Sequence, residues 1–428
     1  MTNNKKRHLR WVRLDNAAKI YPAARRRNWS NVFRQSVTLS EPVDTAVLKS
    51  ALDITVKRFP SIAARLSNGA FWYYLREVES APEIREEQSY PLVFMNDKEM
   101  RQCALRVIAY ENRIAVEFFH SLTDGTGALI FLKSLTAEYL EQKHGINIPC
   151  EHGVLDRRQA PSEAELEDSF LKHSGKYPAS RKDTDAWRLS GTPEKDGFLR
   201  LTCFTVPVNE ALYVARNHGV TLTVLLGAAL AEALINLQKE KVPNIRRRKP
   251  IKVLIPVNLR NLFESTTLRN FAMYTTPELD PRLGEYSFDE ICKIFKAKMD
   301  LEVNAKHMGR VIATNVNDEK NPLVRLIPLP LKNLVMKTVF DTCGERKSCL
   351  SMSNIGLIKL PEIMKPYITR MDFILGVQAA APYNCGVLSY NDTVYINFIR
   401  NIQDPDLERH FFLVLQRLGL TVTVESNN

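Results

Sequence analysis

The chain has 428 residues, of which 45% are hydrophobic and 25% charged, and 59 Lys and Arg against 48 Asp and Glu give a formal net charge of +11. This length exceeds one ordinary hydrophobic core and predicts two lobes, and the composition excludes disordered, collagen-like and low-complexity chains. The basic balance favours anionic partners, but the clusters Lys5-Lys6-Arg7, Arg25-Arg26-Arg27 and Arg246-Arg247-Arg248-Lys249 read first as solvated surface, and no nucleic-acid-binding signature accompanies them.

In chain order, Val43 to Phe59 reads as a helix with Leu48, Leu52, Thr55 and Phe59 on one face, stopped by Pro60. Phe71 to Val78 is an aromatic strand candidate. Cys103 to Ala109 and Arg113 to Phe119 read as a hairpin turning at Tyr110-Glu111-Asn112. A helix follows over Gly127 to Gln142, its apolar stripe made by Ala128, Phe131, Leu132, Leu135 and Tyr139. Pro149 to Gly197 is polar and loop-rich, with one helical patch near Glu163 to Lys172, and Thr192 to Gly197 is the predicted linker. The boundary falls there: residues 1–190 form an N-terminal lobe and residues 191–428 a C-terminal lobe.

The second half restarts with a strand over Phe198 to Val206. A helix runs from an Asn209 N-cap to Gly219, then another from Leu222 to Gln238. Ile251 to Val257 reads as a buried strand, and Ser287-Phe288-Asp289-Glu290 as a capping box opening a helix to Val303. Val387 to Tyr390 and Thr393 to Ile399 flank the turn signal Asn391-Asp392. Asp404-Pro405 starts a last helix that Gly419 ends, and Leu420 to Val424 adds a strand. Hairpins and helices in both halves make the expected class α/β or α+β.

The seven cysteines, at 103, 150, 203, 292, 343, 349 and 385, are odd in number and form no Cys-x-x-Cys pair. Neither a disulfide framework nor a zinc site is expected. Free thiols and a polar, basic start from Met1 to Trp11 point to the cytoplasm. The longest apolar stretch, Val220 to Leu237, is interrupted by Thr221, Thr223, Glu232 and Asn236, which favours a buried helix over a membrane span.

The most informative segment is His120-Ser121-Leu122-Thr123-Asp124-Gly125, a His-x-x-x-Asp-Gly sequence where a strand pattern gives way to a helix pattern. With 8 histidines in the chain, roughly 0.03 such matches are expected by chance at average composition. Acyl transfer from a thioester needs a base to take the acceptor's proton and return it to the leaving thiolate, and histidine titrates in the right range. No Gly-x-Ser-x-Gly elbow is present, which fits direct transfer without a covalent acyl-enzyme. His120 is therefore the candidate base. Asp124 reads as a helix cap or an arginine's partner that holds the turn, and Gly125 as the residue that lets the backbone turn.

These residues resemble the coenzyme A-dependent acyltransferase superfamily that bears the His-x-x-x-Asp-Gly motif, which includes alcohol acetyltransferases, wax-ester synthases and peptide-synthetase condensation domains. Further segments match it in order along nearly the whole chain: Arg58-Phe59-Pro60, Val220 to Leu226, Ile255-Pro256-Val257-Asn258-Leu259-Arg260 with Asn270-Phe271, and Ser351-Met352-Ser353-Asn354-Ile355-Gly356. The resemblance implies two chloramphenicol-acetyltransferase-like lobes with a tunnel between them and the histidine midway. It implies an acyl-CoA co-substrate, no bound cofactor, and a monomer acting on a small alcohol or lipid-like acceptor. It makes Arg260 the candidate partner of Asp124, with Asn258 in the same segment, and gives Ser353 and Asn354 as donors to the substrate or the oxyanion. Two departures narrow it. Phe119 stands where condensation domains and wax-ester synthases have a second histidine, and the Asp-Phe-Gly-Trp-Gly segment of plant-type enzymes is absent, Met371 to Gly376 being its only echo. Bacterial and fungal alcohol acetyltransferases are the nearest type. The alternatives are a carrier-protein-dependent or N-acylating enzyme, an acyl-carrier protein then being a partner, and a non-catalytic binding protein on the same fold.

Overall fold

The computed structural model describes residues 10–25, 31–87, 89–175, 177–178, 183–320, 326–340, 345–378 and 381–427. Two large mixed sheets define two lobes. The five-stranded sheet has the spatial order Ile368–Ile374, Val32–Leu39, Arg113–Phe119, Leu105–Tyr110 and Ile84–Glu86. The eight-stranded sheet has the order Ala272–Thr275, Ile251–Asn258, Leu350–Leu357, Tyr383–Tyr390, Thr393–Arg400, Arg200–Pro207 and Thr423–Ser426, with Glu278–Leu279 also paired to Ile251–Asn258. A three-stranded sheet, Trp11–Arg13, Tyr73–Glu77 and Ala64–Asn68, completes the fold.

The five-stranded sheet is not built from the first half alone. Ile368–Ile374 pairs antiparallel with Val32–Leu39, matching Met371 to Val37 and Phe373 to Gln35. The first core accordingly contains Met364, Ile368, Met371 and Phe373 beside Phe33, Phe118 and Phe131. The segment predicted as a linker is pinned by hydrogen bonds from Gln403 N to Thr192 O (2.8 Å) and from Glu194 N to Asn401 O (2.9 Å).

The helices Thr45–Arg58 and Gly125–His144 pack on each other over the first sheet. Asp44 caps the former, accepting from Ala46 N and Val47 N. In the second lobe Leu222–Lys241 packs against Val208–Asn217, Phe288–Glu302 and Asp406–Arg417. Leu222–Lys241 is long and apolar enough to cross a membrane, but 78% of its most apolar window is buried and it forms the spine of the second core, so its apolarity is used in packing. The capping box at Ser287 is present with both of its bonds. Asn209 is not an N-cap: Val208–Asn217 begins after Pro207 with no side-chain cap, and the Asn209 side-chain Oδ1 accepts from the adjacent Glu210 N. The last helix, Asp406–Arg417, begins directly after Asp404-Pro405, with Pro405 at its N-cap position.

Among the elements with no counterpart in the sequence pattern are the strand Val32–Leu39 and the helices Ala305–Lys320 and Leu329–Val339. The strand hides because it buries charge. Arg34 is 3% exposed and donates from Nε (3.0 Å) and Nη2 (2.7 Å) to Glu117 Oε1, while Arg106 Nη1 donates to Glu117 Oε2 (3.0 Å). A central strand with a buried ion network has neither an alternating nor a continuous apolar pattern.

Candidate active site

His120 directly follows the strand Arg113–Phe119, and its backbone N–H continues the pairing by donating to Asn31 O (2.9 Å). The turn after it is tied down on both sides: Ser121 Oγ donates to Ala18 O (3.0 Å) and Thr123 Oγ1 to Leu268 O (2.6 Å). The imidazole lies between rings. Tyr21 stacks on it with centroids 4.5 Å apart and planes at 19°, and Phe33 lies at 4.9 Å and 57°. Its Nδ1 is 3.1 Å from Asn270 Oδ1, and Nε2 makes no hydrogen bond among the described residues. Burial holds the imidazole below its ordinary pKa, opposed by its own backbone, Asp124, Asn270 and Asp15. Burial therefore favours the neutral ring.

Asp124 has every lone-pair direction in use. Oδ1 accepts from Thr126 N and Gly127 N, both at 3.1 Å, which caps the helix Gly125–His144. Oδ2 accepts from Arg260 Nη1 and Phe271 N, both at 2.8 Å. Asp124 thus joins the first-lobe motif to a second-lobe loop and does not touch the imidazole in a hydrogen bond. Arg260 is committed as fully, donating from Nε to Thr267 O (2.9 Å) and from Nη2 to Thr267 O (2.8 Å) and Arg269 O (2.6 Å). Asn258 serves the same loop: its Oδ1 accepts from Arg260 N (3.1 Å) and Nη1 (3.2 Å) and caps the turn Leu259–Asn261.

The glycine argument shifts by two residues. Gly125 has no positive φ; its role is close packing, since a Cβ there would lie 3.2 Å from Ile355 Cγ2 and 3.7 Å from Phe373 Cζ. Gly127 is the stricter position, where a Cβ would lie 2.2 Å from Thr123 Oγ1 and 2.3 Å from Leu268 O. The rhythm Gly-Thr-Gly after Asp124 is the sequence signal for it.

Ser353 and Asn354 separate. Asn354 Nδ2 donates to Thr223 Oγ1 (3.0 Å) and its Oδ1 accepts from Gly356 N (2.8 Å). Both ends of that amide are used in holding the strand end against the helix Leu222–Lys241, which makes Asn354 a structural residue. The Ser353 hydroxyl has no hydrogen bond among the described residues, and it stands two positions before Ile355, the residue nearest Gly125.

Two residues not among the candidate site residues complete the surroundings: Asn270, named only in a family-like segment, and Asp15. Asn270 is 3% exposed and its Nδ2 donates to Asp15 Oδ2 (3.3 Å); Asp15 is fully buried, and its Oδ1 accepts from Ala18 N (2.7 Å). Arg269 Nε lies 3.7 Å from Asp15 Oδ2. Burial raises the Asp15 carboxyl's pKa, opposed chiefly by Arg269. Sequence order gives no hint that Asp15 and Asn270, 255 positions apart, share a bond.

No group of three or more His, Cys, Asp or Glu side chains able to hold a metal ion occurs among the described residues. Arg246 and Arg247 are exposed, and Arg25 is paired with Asp97; Lys5 to Arg7, Arg26, Arg27 and Cys343 lie outside the described residues.

No protein-family model matches this chain, and no curated protein matches it. Solved structures do. The TRI101 protein of F. sporotrichioides complexed with coenzyme A and T-2 is similar with a TM-score of 0.63 and 11% identity, over 94% of this chain and 97% of that one. The TRI3 trichothecene 15-O-acetyltransferase from Fusarium sporotrichioides follows at 0.61 and 11%, over 95% and 94%. The wax ester synthase/diacylglycerol acyltransferase from Marinobacter aquaeolei VT8 gives 0.55 and 15%, over 95% and 100%. The chain has the two-lobed fold of coenzyme A-dependent acyltransferases and condensation domains.

Proposed function

We propose that this chain, on the acyltransferase and condensation-domain fold, transfers an acyl group from an acyl-CoA thioester to the hydroxyl of an alcohol acceptor. The observation that carries the reading is His120: a half-buried imidazole at a strand end, held through Nδ1, with Nε2 making no hydrogen bond among the described residues and so placed to take a proton. In the reaction Nε2 removes the acceptor's proton as its oxygen attacks the thioester carbonyl. The resulting imidazolium gives that proton to the departing sulfur as the tetrahedral intermediate collapses to ester and free thiol. No acyl-enzyme forms. Asp124, Arg260 and Asn258 hold the loop that places His120, and Gly125 and Gly127 let it close. Ser353, whose hydroxyl is unengaged, is the donor offered to the developing oxyanion.

Residues 1–190 supply the histidine and residues 191–428 the opposite wall of a substrate tunnel, with Ile368–Ile374 reaching back into the first lobe's sheet. A monomer in a reducing, cytoplasmic setting belongs to the same reading, which the free thiols of Cys103, Cys150, Cys203, Cys292, Cys349 and Cys385 support. The donor is a CoA thioester in preference to a carrier-protein one, and Phe119 in place of a second histidine sets the chain apart from condensation domains and wax-ester synthases alike.

The test is thiol release from acetyl-, octanoyl- and palmitoyl-CoA, each offered with a panel of alcohols and amines. Release that depends on an alcohol supports the reading. Release only with amines, or only from a carrier-protein thioester, replaces it with the condensation-type alternative. No release from any pair leaves a binding protein on this fold.

A further inference from the structure

We propose that Asp15 is a positioning residue for His120: acting through the Asn270 amide, its carboxylate fixes the imidazole in the Nδ1–H tautomer that leaves Nε2 as the base. The inference rests on the reading of His120 as the general base. A carboxylate only accepts hydrogen bonds. Asp15 Oδ2 therefore draws the NH2 end of Asn270 toward itself, at 3.3 Å. That turns the amide oxygen toward His120 Nδ1, at 3.1 Å. An amide oxygen also only accepts, so Nδ1 must carry the proton and Nε2 the lone pair. With the amide reversed, the NH2 group would face Nδ1, only the ring's contact with its own backbone would still favour a proton there, and the Nε2–H form, which has no basic nitrogen toward the acceptor, would gain population.

Nothing else near Asn270 sets the direction of its amide. Its only side-chain partners among the described residues are Asp15 and His120. Asp15 also holds the neighbouring ring. Its second oxygen accepts from Ala18 N at 2.7 Å, which shapes the turn leading into Ile20–Ala24, and Tyr21 on that helix stacks on His120. One buried carboxylate thus governs both the tautomer and the packing of the imidazole.

Burial raises the Asp15 pKa, and two cations oppose that rise. Arg269 is 3.7 Å from Asp15, and Lys19 also favours its ionised form. Asp168, which accepts from Asn16 N and is raised to about 6 by burial and by Asp15, lies beyond them. Asp124 and Asp15 both favour the imidazolium. As pH falls, protonation of Asp15 releases the amide while protonation of His120 removes the base, so both changes lower turnover on the acid side.

The test is nitrogen NMR of full-length protein labelled with 15N-histidine, with the His120 signals assigned by their loss in His120→Gln. This reading needs no turnover. We expect neutral His120 to be protonated at Nδ1 in the native protein, and Asp15→Asn to populate the Nε2–H form. In the thiol-release assay Asp15→Asn then loses at least about tenfold in kcat with each KM within about twofold, since the ring stays in place but presents the wrong nitrogen. Should Asp15→Asn fail to fold, Asn270→Asp decides: a carboxylate facing Nδ1 keeps that nitrogen protonated and moves the His120 titration to higher pH. Native His120 protonated at Nε2, an unchanged tautomer in Asp15→Asn, or an unmoved titration in Asn270→Asp each overturns the inference. A protein with the expected tautomers and no thiol release retains the positioning and refutes the acyl-transfer reading alone.

Discussion

Replacing Asp124 by asparagine separates a structural aspartate from a chemical one. The native carboxylate receives four N–H groups, two from the helix start and two from Arg260 and Phe271. Asparagine has one accepting oxygen and one NH2 group, so it can serve one pair only, and its NH2 must face the N–H groups of the other. The better orientation keeps the oxygen on Arg260 and Phe271 and gives up the cap, which costs about 1 kcal/mol. The contact to Arg260 loses its charge assistance, another ~1–2 kcal/mol. The total is about 2–3 kcal/mol. For a cooperative unit of about 150–250 residues, each kcal/mol moves Tm by about 2–4 °C, so Asp124→Asn melts roughly 4–12 °C lower. Thermal unfolding followed by circular dichroism reads this directly, and thiol release on the same sample reads turnover. A variant that melts within about 1 °C of the native protein while losing kcat would refute the assignment, because Asp124 would then act on the chemistry.

Other substitutions probe the same loop. Gly127→Ala places a Cβ about 2.2 Å from Thr123 Oγ1 and disrupts the bond from Thr123 to Leu268 O; its overpacking cost of about 1–3 kcal/mol outweighs a helix-propensity gain of about 1 kcal/mol, so the midpoint of urea unfolding falls. Arg260→Lys keeps the charge near Asp124 but cannot donate to Thr267 O and Arg269 O together, and is expected to lose about 1–3 kcal/mol in the same measurement. His120 has a depressed pKa in the folded protein, so kcat/KM rises with pH through an acid limb centred below the ordinary value of about 6.5 and is level above it. The same shift makes this group's share of folding stability complete above about pH 6.5 and progressively lost below it, which a pH series of unfolding midpoints checks.

Much of the fold was legible because its periods are regular. The hairpin Leu105–Tyr110 and Arg113–Phe119, the capping box at Ser287 and the turn at Asn391 with φ of 50° are local devices written in adjacent residues. The motif's position between strand and helix was legible for the same reason. What escaped depends on distant partners. Val32–Leu39 buries Arg34 against Glu117, so its pattern looks polar until the ion network is seen. Ile368–Ile374 finds its sheet across more than 300 residues of chain. The Asn209 reading failed because Pro207, already fixed in φ, starts the helix first. At the site, Asp124 and Arg260 were recognisable from family-like segments, whereas Asp15 stands in an unremarkable N-terminal stretch and gains meaning only beside Asn270. Asn354 matched a motif, but its amide is spent on Thr223 and Gly356.

The central claim is direct transfer with His120 as base, and rapid-quench single turnover with a radiolabelled acyl thioester tests it most directly. Native protein and His120→Ala are mixed with donor and acceptor, and label is followed on the donor, the protein and the product. The account predicts label passing from thioester to acceptor with none held on the protein, and a rate at least about 100-fold lower in a folded His120→Ala. Label accumulating on the protein, or an undiminished rate without His120, would contradict it.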